Sequence, residues 1–331
     1  MKTATLIKTT AATLISALTI VSAAACDAEE FVDETNDTQL RPGPPPWQLN
    51  TIYRNGTALP GIDLTGAWHH GHGYLGAEFL HNGAYVSADS IEVVDGELRA
   101  HYGGQVYGGD ELDDAHIYLT GTIDPDFEGF APLTTMSVTH ELDDNGEHVY
   151  LLRFGETGDV DDDFDFVCAD DGSASASSNA SARRYAYLMR DIDVSETGEF
   201  SERLDTMYMA CVSGAIGKLG QWGYYRHDLS LPDMQTLTRA TRKDLCGDGV
   251  SYTSIGANFF VKDTLGVNAY GKLGPQLEAF WGPDGATCQG ATSREDQVGI
   301  PSCYTDLPAC APPHHTSVVT LAPEGGGVKL Q

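Results

Sequence analysis

Two patterns of apolar and polar positions follow one another along this chain, and the change falls near residue 157. Between residues 51 and 157 apolar side chains recur at every second position in short runs: "YVSADSIEVVDGELRAHYGG", "AHIYLTGTID" and "LTTMSVTHELDDNGEHVYLLRF". A period of two is that of a strand buried on one face. Asp-Gly, Gly-Gly and Asn-Gly pairs separate the runs, and they supply the positive φ that tight hairpin turns need. The pattern predicts an antiparallel β domain over 51–157, a small sandwich or open barrel.

The stretch from 158 to 312 mixes periods. In "FSERLDTMYMACVSGAIGKLGQWGYY", Leu204, Tyr208, Val212, Ala215, Leu219 and Trp222 stand at helical spacing. A second helix has better-marked ends. Ser230 can cap its start, Pro232 suits the first turn and Asp233 closes a capping box. Met234, Leu237 and Leu245 form its apolar stripe, and Arg239, Arg242 and Lys243 gather where the helix dipole favours cations. Gly247 is expected to supply the left-handed cap. Further on, "SYTSIGANFFVKD" and "LEAFWGPDGATCQG" read as strands, the second with a Pro-Asp-Gly turn. The expected fold class is α+β: the β domain first, then a disulfide-stapled domain with two helices and short strands.

The N-terminal pattern is different again. "MKTATLIKTTAATLISALTIVSAAAC" places Lys2 and Lys8 before an apolar stretch that ends in Ala23, Ala24 and Ala25. Residues 1–25 therefore read as a secretory signal peptide. Small residues ahead of Cys26 mark that cysteine as the lipidated first residue of an exported lipoprotein, held to a membrane by its acyl chains. Ordinary cleavage near Ala25 is the alternative. Residues 26–50 are acidic and rich in proline, as expected of a tether, and 313–331 form a C-terminal tail.

Charge narrows the partners. The chain carries a net charge of −29, and loss of Lys2 and Lys8 with the signal makes it −31. Such a surface repels nucleic acid and anionic head groups and attracts cations. The partners expected are a membrane, through the N-terminal lipid, and a protein or glycan.

Beyond Cys26 six cysteines remain: Cys168, Cys211, Cys246, Cys288, Cys303 and Cys310. An even number in an exported chain implies three disulfides, and no pair has the spacing of a zinc knuckle. Six cysteines allow 15 connectivities. A local Cys303–Cys310 bridge is expected, with the other four paired among themselves.

Two clusters could hold a metal. In "WHHGHGY" the three histidines are His69, His70 and His72; on a strand His70 and His72 would share a face and suit Zn²⁺ or Cu²⁺. The competing reading is a solvated turn. In "GDVDDDFDFVCAD", Asp159, Asp161, Asp163 and Asp165 match positions 1, 3, 5 and 7 of a calcium loop, with Asp170 at position 12. Phe164 stands where such a loop needs glycine, so an irregular calcium site or a plain acidic loop is expected. No nucleophile elbow, zinc-protease helix, P-loop or dinucleotide fingerprint occurs.

Three segments carry a resemblance: "YMACVSGAIGKLGQWGY", "TRKDLCGDGVSYT" and "FWGPDGATC". Over about residues 160–290 they resemble the ADYC domain, an uncharacterised exported family of myxobacteria and similar bacteria. The family's Ala-Asp-Tyr-Cys motif reads Lys243-Asp244-Leu245-Cys246 here, so Asp244 and Cys246 match. Where the family has a cysteine in each helix, this chain has Leu219 and Leu237. The resemblance implies an apolar contact between the helices in place of a bridge. It implies a domain and no activity. The residues favour a non-catalytic envelope or surface lipoprotein with a binding or structural role. The alternative is an exported hydrolase acting on polysaccharide or peptide through its acids. In the unfolded but unreduced protein these six thiols should resist alkylation, and after reduction all six should take label, as read by mass spectrometry.

Overall fold

A computed structural model of the chain describes residues 48–49, 51, 53–57, 59–121, 133–156, 165–169, 184–268, 277–294, 299, 301–311, 318–322 and 328–329. All of them lie in one compact unit, Arg41–Gln331. In chain order the first strands are β1 (Gln48–Leu49), β2 (Gly61–Asp63), β3 (His72–His81), β4 (Ala84–Ser87), β5 (Ser90–Val94), β6 (Glu97–Tyr102) and β7 (Gln105–Gly108). A 3₁₀ turn at Gly109–Leu112 leads to β8 (Ala115–Gly121), β9 (Leu133–Leu142), β10 (His148–Glu156), β11 (Asp165–Phe166), β12 (Tyr185–Val194) and β13 (Phe200–Cys211). Two helices follow, α1 (Ala215–Gln221) and α2 (Leu231–Arg242), then β14 (Asn258–Asp263), β15 (Leu277–Gly282), β16 (Gly285–Ala286) and β17 (Thr292–Ser293). The chain closes with α3 (Ser302–Thr305), β18 (Val318–Leu321) and β19 (Val328–Lys329).

The architecture is α+β and antiparallel. A nine-stranded sheet runs β2-β13-β12-β10-β9-β8-β3-β4, with β11 on β10. Its inner face packs Ile62, Phe79, Ile117, Val138, Leu152, Leu188 and Met209 against the small sheet β5-β6-β7, which adds Ile91, Val93, Leu98 and Ala100. The other face of β12 and β13, with Met189, Tyr208 and Ala210, packs on α1 and α2. Beyond the helices lies the sheet β1-β14-β18-β15-β16, which contributes Phe259, Val261, Ala279, Trp281 and Val318 to that second core. The expected division at 157/158 falls inside the large sheet: β10 pairs with β12 across it, and β13 pairs with β2.

Local chemistry explains the elements that form as expected. Val94↔Glu97 closes the β5–β6 hairpin, with Asp95 and Gly96 at φ 50° and 85°, as an Asp-Gly turn dictates. β9 and β10 pair in unbroken register from His148↔Leu142 to Glu156↔Thr134. Ser230 caps α2, its hydroxyl accepting the Asp233 amide. Leu219 and Leu237 are both fully buried in the core that the two helices share.

Two expectations about the helices fail. Residues 204–211 are strand, and the helix begins only at Ala215. Met207 to Cys211 form a continuous buried run in mid-sheet, between β2 and β12. A run apolar on both faces fits either period, and Leu204, read as part of a helical stripe, is 66% exposed. The second failure is the left-handed cap of α2, which is Lys243 (φ 54°) rather than Gly247.

Lys243 ends the helix because its side chain is buried. Its ammonium donates to the Ser293 hydroxyl and to the Arg294 carbonyl (3.1 Å), and lies 3.8 Å from Glu278 Oε1. The Arg294 guanidinium stands 3.2 Å from Glu278 Oε2, donates to the Ala240 and Thr241 carbonyls at the end of α2 and covers the Phe259 ring at 4.1 Å. Glu278 also accepts the Arg294 amide (3.0 Å) and the Thr320 hydroxyl (2.8 Å). Burial alone would push the Glu278 carboxyl up; Arg294 and Lys243 hold it below the usual range, so it stays ionised. Burial also depresses the Lys243 ammonium, to about 8.

The disulfides are Cys168–Cys211, Cys246–Cys303 and Cys288–Cys310. The expected Cys303–Cys310 bridge is thus wrong. Cys303, on α3, faces back to the turn after α2. Cys310 instead runs beside the 288–290 segment, where Cys310 donates its amide to the Gln289 carbonyl at 2.9 Å. Replacing Glu278 by Ala should destabilise the fold by about 3–5 kcal/mol, because it leaves two buried cations unmatched. Urea unfolding followed by tryptophan fluorescence measures this.

Candidate functional site

The motif that carries the family resemblance is a structural corner. Asp244 is fully buried and accepts from Arg239 Nη1 (2.7 Å) and from the Gly249 amide (3.0 Å). Leu245 sits in the second core, and its carbonyl accepts the Ala286 amide at 3.1 Å. Cys246 is bridged to Cys303. Lys243, Leu245 and Cys246 thereby tie the end of α2 to the C-terminal sheet and to α3, and Asp244 ties it to the loop that follows.

The acid run reads differently. Asp159, Asp161, Asp163 and Asp170 lie outside the described residues, as does Cys26. Asp165 begins β11, its backbone paired with Phe154 of β10.

The histidines do come together, in a different set from the one expected. His69 to His72 form a two-residue hairpin: the His69 amide donates to the His72 carbonyl (2.8 Å) and the His72 amide returns the bond (2.9 Å). The central residues His70 and Gly71 have φ of 47° and 82°, as a type I′ turn requires. The turn breaks the strand that would have put His70 and His72 on one face. His72 is instead buried at the start of β3, where burial, then the neighbouring His70, depress its imidazole to about 4. His70 turns towards the end of β12, and its Nε2 is 2.8 Å from Asp193 Oδ1. His69 Nε2 is 3.6 Å from the same oxygen. One nitrogen or oxygen from each of His69, His70 and Asp193 fits within 4.8 Å of the others. Sequence spacing could not show Asp193, which is brought in by strand pairing. Burial tends to raise the Asp193 carboxyl, but the hydrogen bond from His70 and the charges of His70 and His69 carry it below its usual range.

A cleft of about 240 Å³ opens elsewhere, on the outer side of β12. The β5–β6 turn (Asp95, Gly96), the start of β10 (Glu147, His148), Tyr187 to Asp191 of β12 and the segment after α1 (Tyr224 to His227) line it. Two local features shape it. Strand β12 bulges between Arg190 and Ile192, with Asp191 at φ 56°, and bulges turn side chains out of the pleat. Gly220 lets α1 lie against Tyr187, whose ring would be 2.6 Å from any Cβ there. The Tyr187 hydroxyl donates to Asp143 at 2.8 Å, and the rings of Tyr225 and His227 stack at 7°.

A histidine pair leads into the cleft. His148 Nδ1 is 2.8 Å from His140 Nε2, and His140 Nδ1 is 2.9 Å from Asp110 Oδ1. Burial, helped by His140 and Arg99 and opposed by Glu97, holds His148 below the usual imidazole range. Sequence reading missed this pair. Its signal was there: His140 and His148 lie on the two strands that the Asn-Gly turn joins, and since His140 pairs with Tyr150 and His148 with Leu142 they meet diagonally across neighbouring strands.

These features define an α+β, disulfide-stapled body with a mixed-charge aromatic cleft. Its family is shown by comparison: the ADYC domain model matches residues 109–295, more than half of the 331-residue chain, and the chain belongs to that family. The match takes in β8, β9 and β10 as well as the two helices. No curated protein and no solved structure matches the chain.

His148 gives a pH signature. The unfolded chain takes up this proton near 6.5 and the folded protein only at lower pH. The group's contribution to stability therefore falls as pH drops below 6.5 and levels off beneath the folded value. The urea midpoint should drop between about pH 7.5 and about pH 5.5, and drop less in His148→Gln.

Proposed function

We propose that this ADYC-family protein is an exported, lipid-anchored envelope protein with a binding or structural role and no catalytic one. The observation that carries the reading concerns its buried carboxylates. Among the described residues these are Asp63, Asp244, Asp263 and Glu278. Asp63 is paired to Arg203 at 2.9 Å and accepts from Thr65. Asp244 is held by Arg239. Asp263 accepts four amides of the 265–268 turn and the Tyr224 hydroxyl. Glu278 serves Lys243 and Arg294. Acid–base catalysis by carboxylates needs a buried acid facing substrate with a pKa set apart from its partner's. Here Asp63, Asp263 and Glu278 are held by structural donors, and Asp244, whose Oδ1 has no hydrogen-bond partner and whose carboxyl burial pushes up, is wholly enclosed beside Arg239.

The compartment reading rests on chemistry too. Three disulfides suit an oxidising, extracellular-type environment. No helix among the described residues is long and apolar enough to cross a membrane. On this reading the attachment is through Cys26 and its acyl chains. The cleft is the binding face on this reading; its stacked Tyr225 and His227, with Arg190 and Arg226, suit a glycan or peptide chain.

Expression in a bacterium that processes lipoproteins tests the proposal. The protein should pellet with membranes, carry acyl mass on Cys26, and move to the soluble fraction in Cys26→Ser. Purified protein should leave envelope polysaccharide and peptide substrates intact. Turnover of either, abolished in His148→Gln, would overturn the non-catalytic reading; a soluble, unacylated wild type would overturn the anchor.

A further inference from the structure

We infer that His69, His70 and Asp193 form a binding site for a divalent transition-metal ion of the Zn²⁺ type. The ligand set is two imidazoles and one carboxylate, a combination suited to borderline cations such as Zn²⁺, Cu²⁺ and Ni²⁺ and poorly suited to Ca²⁺, which takes oxygens.

The spacing fits. Ligands bound at roughly 2.0–2.2 Å around one tetrahedral ion stand about 3.3–3.5 Å apart. Asp193 Oδ1 is 2.8 Å from His70 Nε2 and 3.6 Å from His69 Nε2, and all three ligand atoms fall within 4.8 Å of one another. Shifts of about 1 Å or less at each ligand atom would bring them to that spacing.

Burial gives an independent pointer. His69 is 9% exposed, and its Nε2 is buried without a hydrogen-bond partner. That nitrogen is aimed at Asp193 Oδ1, at a distance too long for a hydrogen bond. A buried ring nitrogen without a partner is a standing penalty that a bound cation relieves. Access is present on the other side, since the His70 and Asp193 side chains are 29% and 26% exposed. A metal ion could enter there and keep a water as its remaining ligand.

The frame is stiff. His69 and His70 sit on the type I′ hairpin, fixed by its two backbone bonds, and Asp193 Oδ1 also accepts the Val194 amide at 2.8 Å. The ion would clip the turn between β2 and β3 to the end of β12, joining segments 123 residues apart.

The test uses the purified protein with disulfides intact, freed of metal by a chelator and titrated with ZnCl₂ alone by calorimetry. One equivalent should bind with a dissociation constant of about 10 μM or tighter. Asp193→Asn and His70→Asn should each weaken binding at least about tenfold; asparagine at 70 also tolerates the left-handed turn. His101→Gln, remote from the turn, should bind as the wild type does. Co²⁺ in place of Zn²⁺ should give visible absorption bands that vanish in Asp193→Asn, and Zn²⁺ should raise the urea midpoint of the wild type and of His101→Gln but not of the two site variants. Wild-type protein that binds no Zn²⁺ below about 100 μM overturns the site whatever the variants do. So does binding of equal strength in the folded variants, or several weak equivalents removed by salt, which would place the ion on the acidic surface.

Discussion

The fold depends on one ionised carboxylate where no water reaches. Glu278 lies wholly inside the protein, between the end of α2 and the C-terminal sheet, with Lys243 and Arg294 equally enclosed. Two cations face one anion. The surplus positive charge meets the Ala240 and Thr241 carbonyls, which form the negative end of the α2 dipole. Charges removed from water are costly unless each is matched, and this set is matched only when helix, β15 and the 293–294 segment are all in place. The network therefore specifies a single arrangement of the layers more than it adds stability. Lys243 shows the consequence locally: a lysine adopts the left-handed conformation because its side chain has one destination.

That account changes what the family motif means. Lys243-Asp244-Leu245-Cys246 resembles a signature of chemistry because it pairs an acid with a cysteine. In three dimensions its four residues serve four structural partners: an ion network, the Arg239 guanidinium, an apolar core and a disulfide. A motif can recur in a family because a sharp corner between a helix and a sheet tolerates few alternatives.

What could be read from the sequence follows the range of the forces involved. The β5–β6 and β9–β10 hairpins were legible because a two-residue turn with positive φ is encoded by the turn residues themselves. The start of α2 was legible for the same reason, since Ser230 and Asp233 satisfy its amides within one turn. The helix assigned to 204–211 was misread because Met207 to Ala210 are buried on both faces of a central strand, which erases the period of two. The cap at Lys243 and the partner of Cys246 are set by contacts 50 and 57 residues away, and the partner of Cys310 by one 22 residues away, all beyond any local pattern. The histidine corner is half legible: "HHGH" is a cluster in the sequence, but His-Gly at the centre of a tight turn, rather than alternation along a strand, decides which rings meet. Asp193 could be found only from the pairing of strands.

Strand order carries a consequence for the making of the protein. β2 has no neighbour in its sheet until β13 exists, and β1 has none until β14 does. β14 in turn waits for β18, near the end of the chain. Such pairings between distant segments form slowly, because the loop between them must close first. During synthesis the early strands must therefore persist with open edges, exposed to wrong partners, until residues 318–321 have emerged. Loss of even the short segment 318–321 would unseat the middle strand of the C-terminal sheet and strand the beginning of the chain with it.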